Sequence, residues 1–479
     1  MPSITLTPDQ QNAFDKLVAF VESDDRVFIL RGYAGTGKTT LVKIFIEKLK
    51  ALNQKYYLLA STGRAAKILS NATANRTSTV HSHIYKFKDF NKDIDDIVKQ
   101  QENTGVDSTG QLYLTFELSS VPQTEEESHR FYIVDEASMI SDIPDANVTQ
   151  ALFGSGRLLN DLLQHDRKGK FVFVGDHCQL PPVVRSNNNS FSPALSSEYF
   201  QKTYSISAQF AELTNIMRQH IENDIIVASK RVRHLYDNVP TQKWGKLPFR
   251  NLKNIKIHPD SVSLINSYIQ NIKKNGYNAT TLISRTNRKA NQLTELIRPS
   301  LGMSKLLQVG DLLLITQNNM PTGLMNGDMV VVTQLNPVVK QSANLTFKEV
   351  QVQELFTQKT YSHLLIEDLV YSNEVNLNSE QQKKLFIDFF IRMKKKGIRQ
   401  KTSTFNDSMM RDPYLNGLRA VFGYAITCHK SQGGEWEEVF LDIPRNLTLE
   451  PTKSTYQWVY TAMTRAREQL HIVDDFYIE

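Results

Sequence analysis

The sequence predicts an α/β protein built as two parallel-sheet units, the second interrupted by a small β-rich insertion, and three observations carry this. Apolar runs dense in β-branched and aromatic residues recur between helical stretches: Val27-Phe28-Ile29-Leu30, Tyr56-Tyr57-Leu58-Leu59, Phe131-Tyr132-Ile133-Val134 and Phe171-Val172-Phe173-Val174. Such runs, without polar alternation, read as strands buried on both faces of a parallel sheet. A second set, Thr281-Leu282-Ile283-Ser284, Val439-Phe440-Leu441-Asp442 and His471-Ile472-Val473, makes the second unit. Between its strands, Asp311-Leu312-Leu313-Leu314-Ile315 and Met329-Val330-Val331-Val332, with a turn at Asn326-Gly327-Asp328, carry the signal of an antiparallel module.

A chain of 479 residues exceeds one compact core. The runs divide it into a first unit over 1–205, a second over 206–300 and 416–479, and an insertion over 301–415. Within the first unit a polar excursion near 84–118 ends in Gln111-Leu112-Tyr113-Leu114-Thr115-Phe116-Glu117-Leu118, which alternates like a strand. Late in the insertion a helix is expected. Ser379 with Gln382 makes a capping box, Leu385, Phe386, Phe389 and Phe390 form an apolar stripe, and Lys394-Lys395-Lys396-Gly397 is a stop. The basic run Arg392, Lys394, Lys395, Lys396, Arg399 and Lys401 reads either as a solvated helix end or as a phosphate contact.

Composition narrows the function classes. With 40% hydrophobic and 22% charged residues the chain can bury cores, which excludes a disordered or fibrous protein. A net charge of +6 suits a polyanionic partner without requiring one. Cys178 and Cys428 stand far apart, so neither a disulfide framework nor a zinc site is supported, and any metal is expected on oxygen ligands. The N-terminus lacks a secretory pattern and no apolar run reaches about 18 residues. A soluble, cytoplasmic protein without membrane contact is expected, in the host cytoplasm if the source is viral.

Three blocks carry chemistry. Gly32-Tyr33-Ala34-Gly35-Thr36-Gly37-Lys38-Thr39-Thr40 matches G-x-x-x-x-G-K-[ST], follows a predicted strand and opens a predicted helix. In that context backbone N–H groups cradle phosphates, Lys38 reaches the β/γ oxygens and Thr39 binds Mg²⁺, so ATP and Mg²⁺ are the expected cofactors. Asp135-Glu136 follows the next strand, where Asp135 would hold the metal and Glu136 would activate water. Gly175-Asp176-His177-Cys178-Gln179-Leu180-Pro181-Pro182-Val183 leaves a third strand and sets the Gln179 amide beside the nucleotide.

The order of these and further blocks resembles the superfamily 1 DNA helicases of the branch that includes RecD and the phage Dda helicase, the overall layout being most similar to Dda. The matching blocks are Gln10 in Leu6-Thr7-Pro8-Asp9-Gln10, the P-loop, Ser61-Thr62-Gly63-Arg64-Ala65-Ala66, Thr79-Val80-His81-Ser82, Asp135-Glu136-Ala137-Ser138 and the Gln179 block. They continue through Leu213-Thr214 to Arg218, Thr427-Cys428-His429-Lys430-Ser431-Gln432-Gly433 and Tyr460-Thr461-Ala462-Met463-Thr464-Arg465-Ala466. The resemblance implies two RecA-like motor domains with an SH3-like insertion, and an enzyme that couples ATP hydrolysis to unwinding. It implies that Gln10 recognises adenine, that Arg218 and Arg465 reach the γ-phosphate, and that Gly433 and Glu435 lie near the nucleotide. Thr62, Thr79, His81, Thr427, His429 and Lys430 would line a single-strand track.

Single-stranded and forked DNA are thus the expected partners, with replication or recombination proteins, for a functional monomer moving 5′ to 3′. The excursion near 84–118 would be the wedge at the fork. Competing accounts exist residue by residue: Gln10 makes a capping box with Thr7, the arginines could be surface ion-pair formers, and the histidines could be core residues. Ser61-Thr62 departs from the family's Pro-Thr, and Met217 leaves no aromatic beside Arg218. The rival readings are a P-loop switch or assembly factor without translocation, and a passive single-strand binder.

Overall fold

The computed structural model describes residues 6–104, 110–122, 129–144, 150–182, 191–215 and 223–479. Its first sheet has six parallel strands in the order Thr77–Thr79, Lys55–Ala60, Arg130–Asp135, Lys170–Gly175, Val27–Gly32 and Ala208–Leu213. Successive residues of one strand feed opposite faces. Phe28, Leu30, Ile133 and Val172 enter the core under the Pro8–Glu22 and Lys38–Ala51 helices, whereas Val27, Ile29, Val134 and Phe173 enter the core on the other side. Double-sided burial is why these strands read as unbroken apolar runs. Their carboxyl ends align, with Leu30 beside Val174 and Ala60 beside Asp135, so Gly32, Asp135 and Gly175 emerge at one edge. In open α/β sheets that edge is where ligands bind.

The second sheet has five parallel strands, Ile255–His258, Ala466–Val473, Trp436–Leu441, Thr280–Ser284 and Ile426–Thr427. The insertion folds as a five-stranded antiparallel sheet, Thr360–Ile366, Leu345–Glu354, Met329–Ser342, Leu312–Ile315 and Ala420–Phe422. The turn expected at 326–328 leads into Met329, and Gly327 takes φ +95°, a left-handed conformation natural to glycine.

Two boundaries move. Ala208–Leu213 pairs with Val27–Gly32, so the first unit extends past 205; Ala420–Phe422 pairs with Leu312–Ile315, so the insertion extends past 415. Both are short strands whose partner is chosen by tertiary contact rather than by local pattern. The Ser379–Lys395 helix is present, capped by Asn378 with Gln381 rather than by Ser379 with Gln382. Gln382 is instead buried and accepts from Arg419 Nη2 at 2.6 Å. The helix ends at Lys395, with Lys396 as its C-cap and Gly397 at φ +73°.

The excursion of the first unit forms a three-stranded sheet of Tyr85–Phe90, Leu114–Leu118 and Ala151–Phe153, with the Ile94–Thr104 helix. Phe90, Ile94, Ile97, Val98 and Leu112 share one core with Leu385, Phe386, Phe389 and Phe390 of the Ser379–Lys395 helix. The insertions of the two units are therefore bolted together. Part of the basic run serves the same joint: Lys394 pairs with Asp95 at 2.7 Å and Lys401 lies 3.7 Å from Asp93, while Arg392 pairs with Asp388 and Asp412 inside the insertion. Cys178 and Cys428 are buried free thiols, and among the described residues no helix is long and apolar enough to cross a membrane.

Candidate nucleotide site and nucleic-acid interface

The P-loop joins the Val27–Gly32 strand to the Lys38–Ala51 helix, with Gly32 closing the strand, Ala34, Gly35, Thr36 and Gly37 in the turn and Thr39 and Thr40 in the first helical turn. Gly35 and Gly37 take φ +79° and +80°. At Gly37 an added Cβ would also meet Gln10 Nε2 at 2.4 Å, so neither the backbone nor the space admits a side chain. Lys38 Nζ donates to Gly32 O at 2.7 Å and Tyr33 O at 3.0 Å, which folds the loop around its own cation. Gln10 does two things. It completes the capping box with Thr7, and its Nε2 donates to Thr36 O at 3.0 Å, seating the Pro8–Glu22 helix on the P-loop.

Asp135 ends its strand and Glu136 follows at φ +51°, a left-handed conformation that turns the chain sharply at the edge. Burial pushes both carboxyls up. Asp135 raises Glu136 further, while Arg465 and Lys38 pull Glu136 back, so charges from both units act on Glu136. The donor set of Thr39 and Asp135 is oxygen only and suits a hard cation.

Gln179 is buried, and its Oε1 has no hydrogen-bond partner among the described residues. An orphaned acceptor of this kind beside a P-loop marks a place where a ligand's proton or a water completes the site. The loop that bears it is gripped by the second unit. Gln457 Nε2 donates to His177 O and Gln179 O at 3.2 Å each, Leu180 N donates to Thr461 Oγ1 at 2.9 Å, and Gln432 Nε2 donates to Leu180 O at 3.1 Å. Asp176, His177 and Cys178 bring their ligand atoms within 4.8 Å of one another. Asp176 is already engaged by Tyr460 and by Cys178 N, and burial pushes the Cys178 thiol up, away from the thiolate that a metal requires.

Arg465 is buried at the end of the Lys453–Met463 helix, held by Thr461 O at 3.0 Å and Gly434 O at 3.3 Å. Gly433 faces Ala65, whose N would stand 3.7 Å from an added Cβ, and Glu435 is exposed. Arg218, with Met217, lies outside the described residues.

A cavity of about 410 Å³ opens between the two units. It gathers Thr62, Thr79, His81, His429 and Lys430, which lie far apart in sequence. Thr62 caps the Gly63–Thr73 helix by accepting from Ala65 N, and Thr79 accepts from Ser82 N, so two helix N-termini face this space. Thr427 precedes the short Cys428–Ser431 helix as its N-cap residue and is not among the lining residues. Burial lowers the pKa of His81 and His429, so both rings are neutral near pH 7 and contribute shape and hydrogen bonds rather than charge. Burial also pushes the Lys430 amine down to about 8, and Lys430 Nζ donates to Asn326 Oδ1 at 2.6 Å.

The cavity contains residues that the sequence did not single out: Met139, Phe153, Asn318 and Asn326. Phe153 stands edge-on to the His81 ring, centroids 5.1 Å apart, and stacks on Phe116 at 4.6 Å. Its three-residue strand is too short to announce itself by alternation, and Asn326 carried only a turn signal. Arg64 donates to Gly327 O at 3.3 Å and Lys67 pairs with Asp328, tying the first unit to the insertion beside the cavity.

Comparison with known proteins adds an independent line. The AAA domain family model matches residues 5–237, and the UvrD-like helicase C-terminal domain model matches 422–473. The chain is 21% identical over 97% of its length to the RecD subunit of the RecBCD enzyme of Buchnera aphidicola subsp. Schizaphis graminum, covering 73% of that protein. The likeness to the ATP-dependent DNA helicase Dda of Enterobacteria phage T4 is local, 40% identity over 78 residues, 16% of this chain and 18% of that one. An uncharacterised protein of Methanocaldococcus jannaschii is 24% identical over 94% of this chain, which spans 36% of that protein's length. The crystal structure of the Pif1 helicase from Bacteroides in complex with ADP-AlF3 and ssDNA shares the fold, with TM-score 0.51 at 17% identity, covering 99% of this chain and 93% of that one.

Proposed function

We propose that the chain is an ATP-dependent DNA helicase of superfamily 1, of the RecD/Pif1 type, and that it walks along single-stranded DNA, 5′ to 3′, separating duplex ahead of it. The observation that carries the reading is the cavity between the two units: Thr62, Thr79 and His81 come to it from one and His429 and Lys430 from the other. A strand held there is gripped by both units at once. Relative movement of the units in the ATP cycle is then movement along the strand.

In this reading the P-loop amides and Lys38 hold the β- and γ-phosphates of ATP, and Gln10 reads adenine while seating its helix on Thr36. Thr39 and Asp135 would hold Mg²⁺, which when bound neutralises developing phosphate charge. Glu136 takes the proton of the attacking water, placed for it by the left-handed turn that follows Asp135 at the sheet edge. Gln179 orients that water through its Oε1, which is unpartnered among the described residues. Arg465, and Arg218 from outside the described residues, meet the γ-phosphate, with Gly433 and Glu435 nearby. Thr427 supports the strand track behind His429. A cytoplasmic monomer acting on forked DNA alongside replication or recombination proteins completes the proposal.

The test is steady-state ATP hydrolysis with and without single-stranded DNA. Stimulation of at least about tenfold is expected of a coupled motor, since an unproductive site must be completed by domain closure. Hydrolysis indifferent to DNA would replace the motor reading with a P-loop switch.

A further inference from the structure

The Tyr460 side chain is fully buried where the two motor units meet. Its hydroxyl oxygen accepts from the Ala34 N–H at 3.2 Å and donates to Asp176 Oδ2 at 2.7 Å. The first partner belongs to the loop whose amides cradle phosphate, and the second heads the loop that carries Gln179. One hydroxyl thus ties both arms of the nucleotide site to the Lys453–Met463 helix. Gln457 and Thr461 of that helix hold the Gln179 loop by its backbone, and Arg465, just past its end, is bonded back to Thr461 O at 3.0 Å. The Arg233 guanidinium lies 3.6 Å over the Tyr33 ring of the P-loop and 5.8 Å from the Tyr460 ring, which fixes the stack from the side.

Resting on the ATP-site reading above, we propose that Tyr460 is a positioning residue of hydrolysis: its hydroxyl holds the Ala34 N–H until a nucleotide phosphate takes that N–H, and the exchange shifts the helix that positions Arg465. The N–H has one proton, so a phosphate oxygen and the tyrosine oxygen compete for it. The hydroxyl keeps its bond to Asp176 throughout, and burial pushes its pKa well above 10, so it remains protonated and a donor. Arg465 follows because its guanidinium is anchored within one turn of Tyr460. A tyrosine that merely filled the core would be satisfied by either partner and would not link them.

Competition gives the test its sign. Tyr460→Phe keeps the ring and deletes the competitor, so the binding of a fluorescent, non-hydrolysable ATP analogue with Mg²⁺ is expected to tighten about fivefold, the fold-change of one net hydrogen bond. At saturating single-stranded DNA, kcat is expected to fall about tenfold or more, because Arg465 loses its coupling. A simple structural role predicts weaker binding, and unchanged or weakened binding overturns the proposal. Thr461→Val removes a bond to the Gln179 loop while leaving the Ala34 contact, and it should not tighten binding. Equal tightening in both variants would assign the effect to a loosened interface and overturn the proposal as well.

A measurement on the wild-type protein covers the case in which Tyr460→Phe does not fold. Amide hydrogen exchange across 453–465 should change when the analogue binds, and no change overturns the coupling. Wild-type protein that binds no nucleotide would sink the ATP-site reading together with this inference. Tight wild-type binding without the predicted gain in the variant sinks the inference alone.

Discussion

Lys38 and Glu136 make opposite predictions about binding. Lys38 is the cation that folds the P-loop, donating to two of its carbonyls, and it would turn to the β/γ-phosphates when they arrive. Lys38→Ala is therefore expected to lose both nucleotide binding and hydrolysis, the latter by at least about a hundredfold. Glu136→Gln should lose hydrolysis to the same degree and keep binding, because the base is absent while the cradle is intact. Hydrolysis above a few per cent of wild type in either variant, in a phosphate-release assay, would remove these residues from the chemistry. Lys430 makes a pH prediction. Its amine is pushed down to about 8 by burial, so in the free protein its charge is present below that pH and lost above it. Phosphate favours the charged form, so single-strand affinity should fall as pH rises through 8, approaching about tenfold per unit for one linked proton. Lys430→Arg should flatten the curve, since a guanidinium stays charged. Fluorescence anisotropy from about pH 6.5 to pH 9.5 reads both.

Among elements, the Ser379–Lys395 helix bears the most on mechanism, because it belongs to the insertion of the second unit and packs on the excursion of the first. Phe386 is 2% exposed and stands edge-on to Phe90, centroids 5.0 Å apart. Phe386→Ala is expected to cost about 3–5 kcal/mol locally through lost burial and a cavity. If the excursion is the wedge, freeing it should abolish duplex unwinding while DNA-stimulated hydrolysis stays within about twofold. Parallel loss of both activities, with a melting curve showing a folded protein, would sink the wedge assignment. The same joint engages part of the basic run at the end of this helix. Lys394 faces Asp95, and an exposed pair of this kind is screened by solvent, so it aligns the insertion more than it stabilises it.

Direction of movement belongs to the whole molecule. It depends on which unit grips the strand more tightly at each step of the ATP cycle, a difference in affinity between two states. A partial duplex with a 5′ tail and one with a 3′ tail, followed in a single turnover with ATP, Mg²⁺ and a trap strand, decides it. Release from the 5′-tailed substrate is expected. Preferential release from the 3′-tailed one would overturn the polarity and leave the ATPase reading standing.

How much was legible follows from the range over which each signal acts. The sequence by itself determined the two parallel sheets, because strands buried on both faces must be apolar at every position. It determined the P-loop and Asp135-Glu136, because phosphate chemistry demands particular residues at fixed local spacing. Thr62, His81 and Lys430 were legible only as members of blocks, and tertiary structure brought them to one cavity. Tertiary structure alone decided the partners of Ala208–Leu213 and Ala420–Phe422, the shared core of Phe90 with Phe386, and the placing of Tyr460 between Ala34 and Asp176. Each of these joins positions from tens to hundreds of residues apart, and no local period or propensity encodes which surfaces two separately folded units will press together.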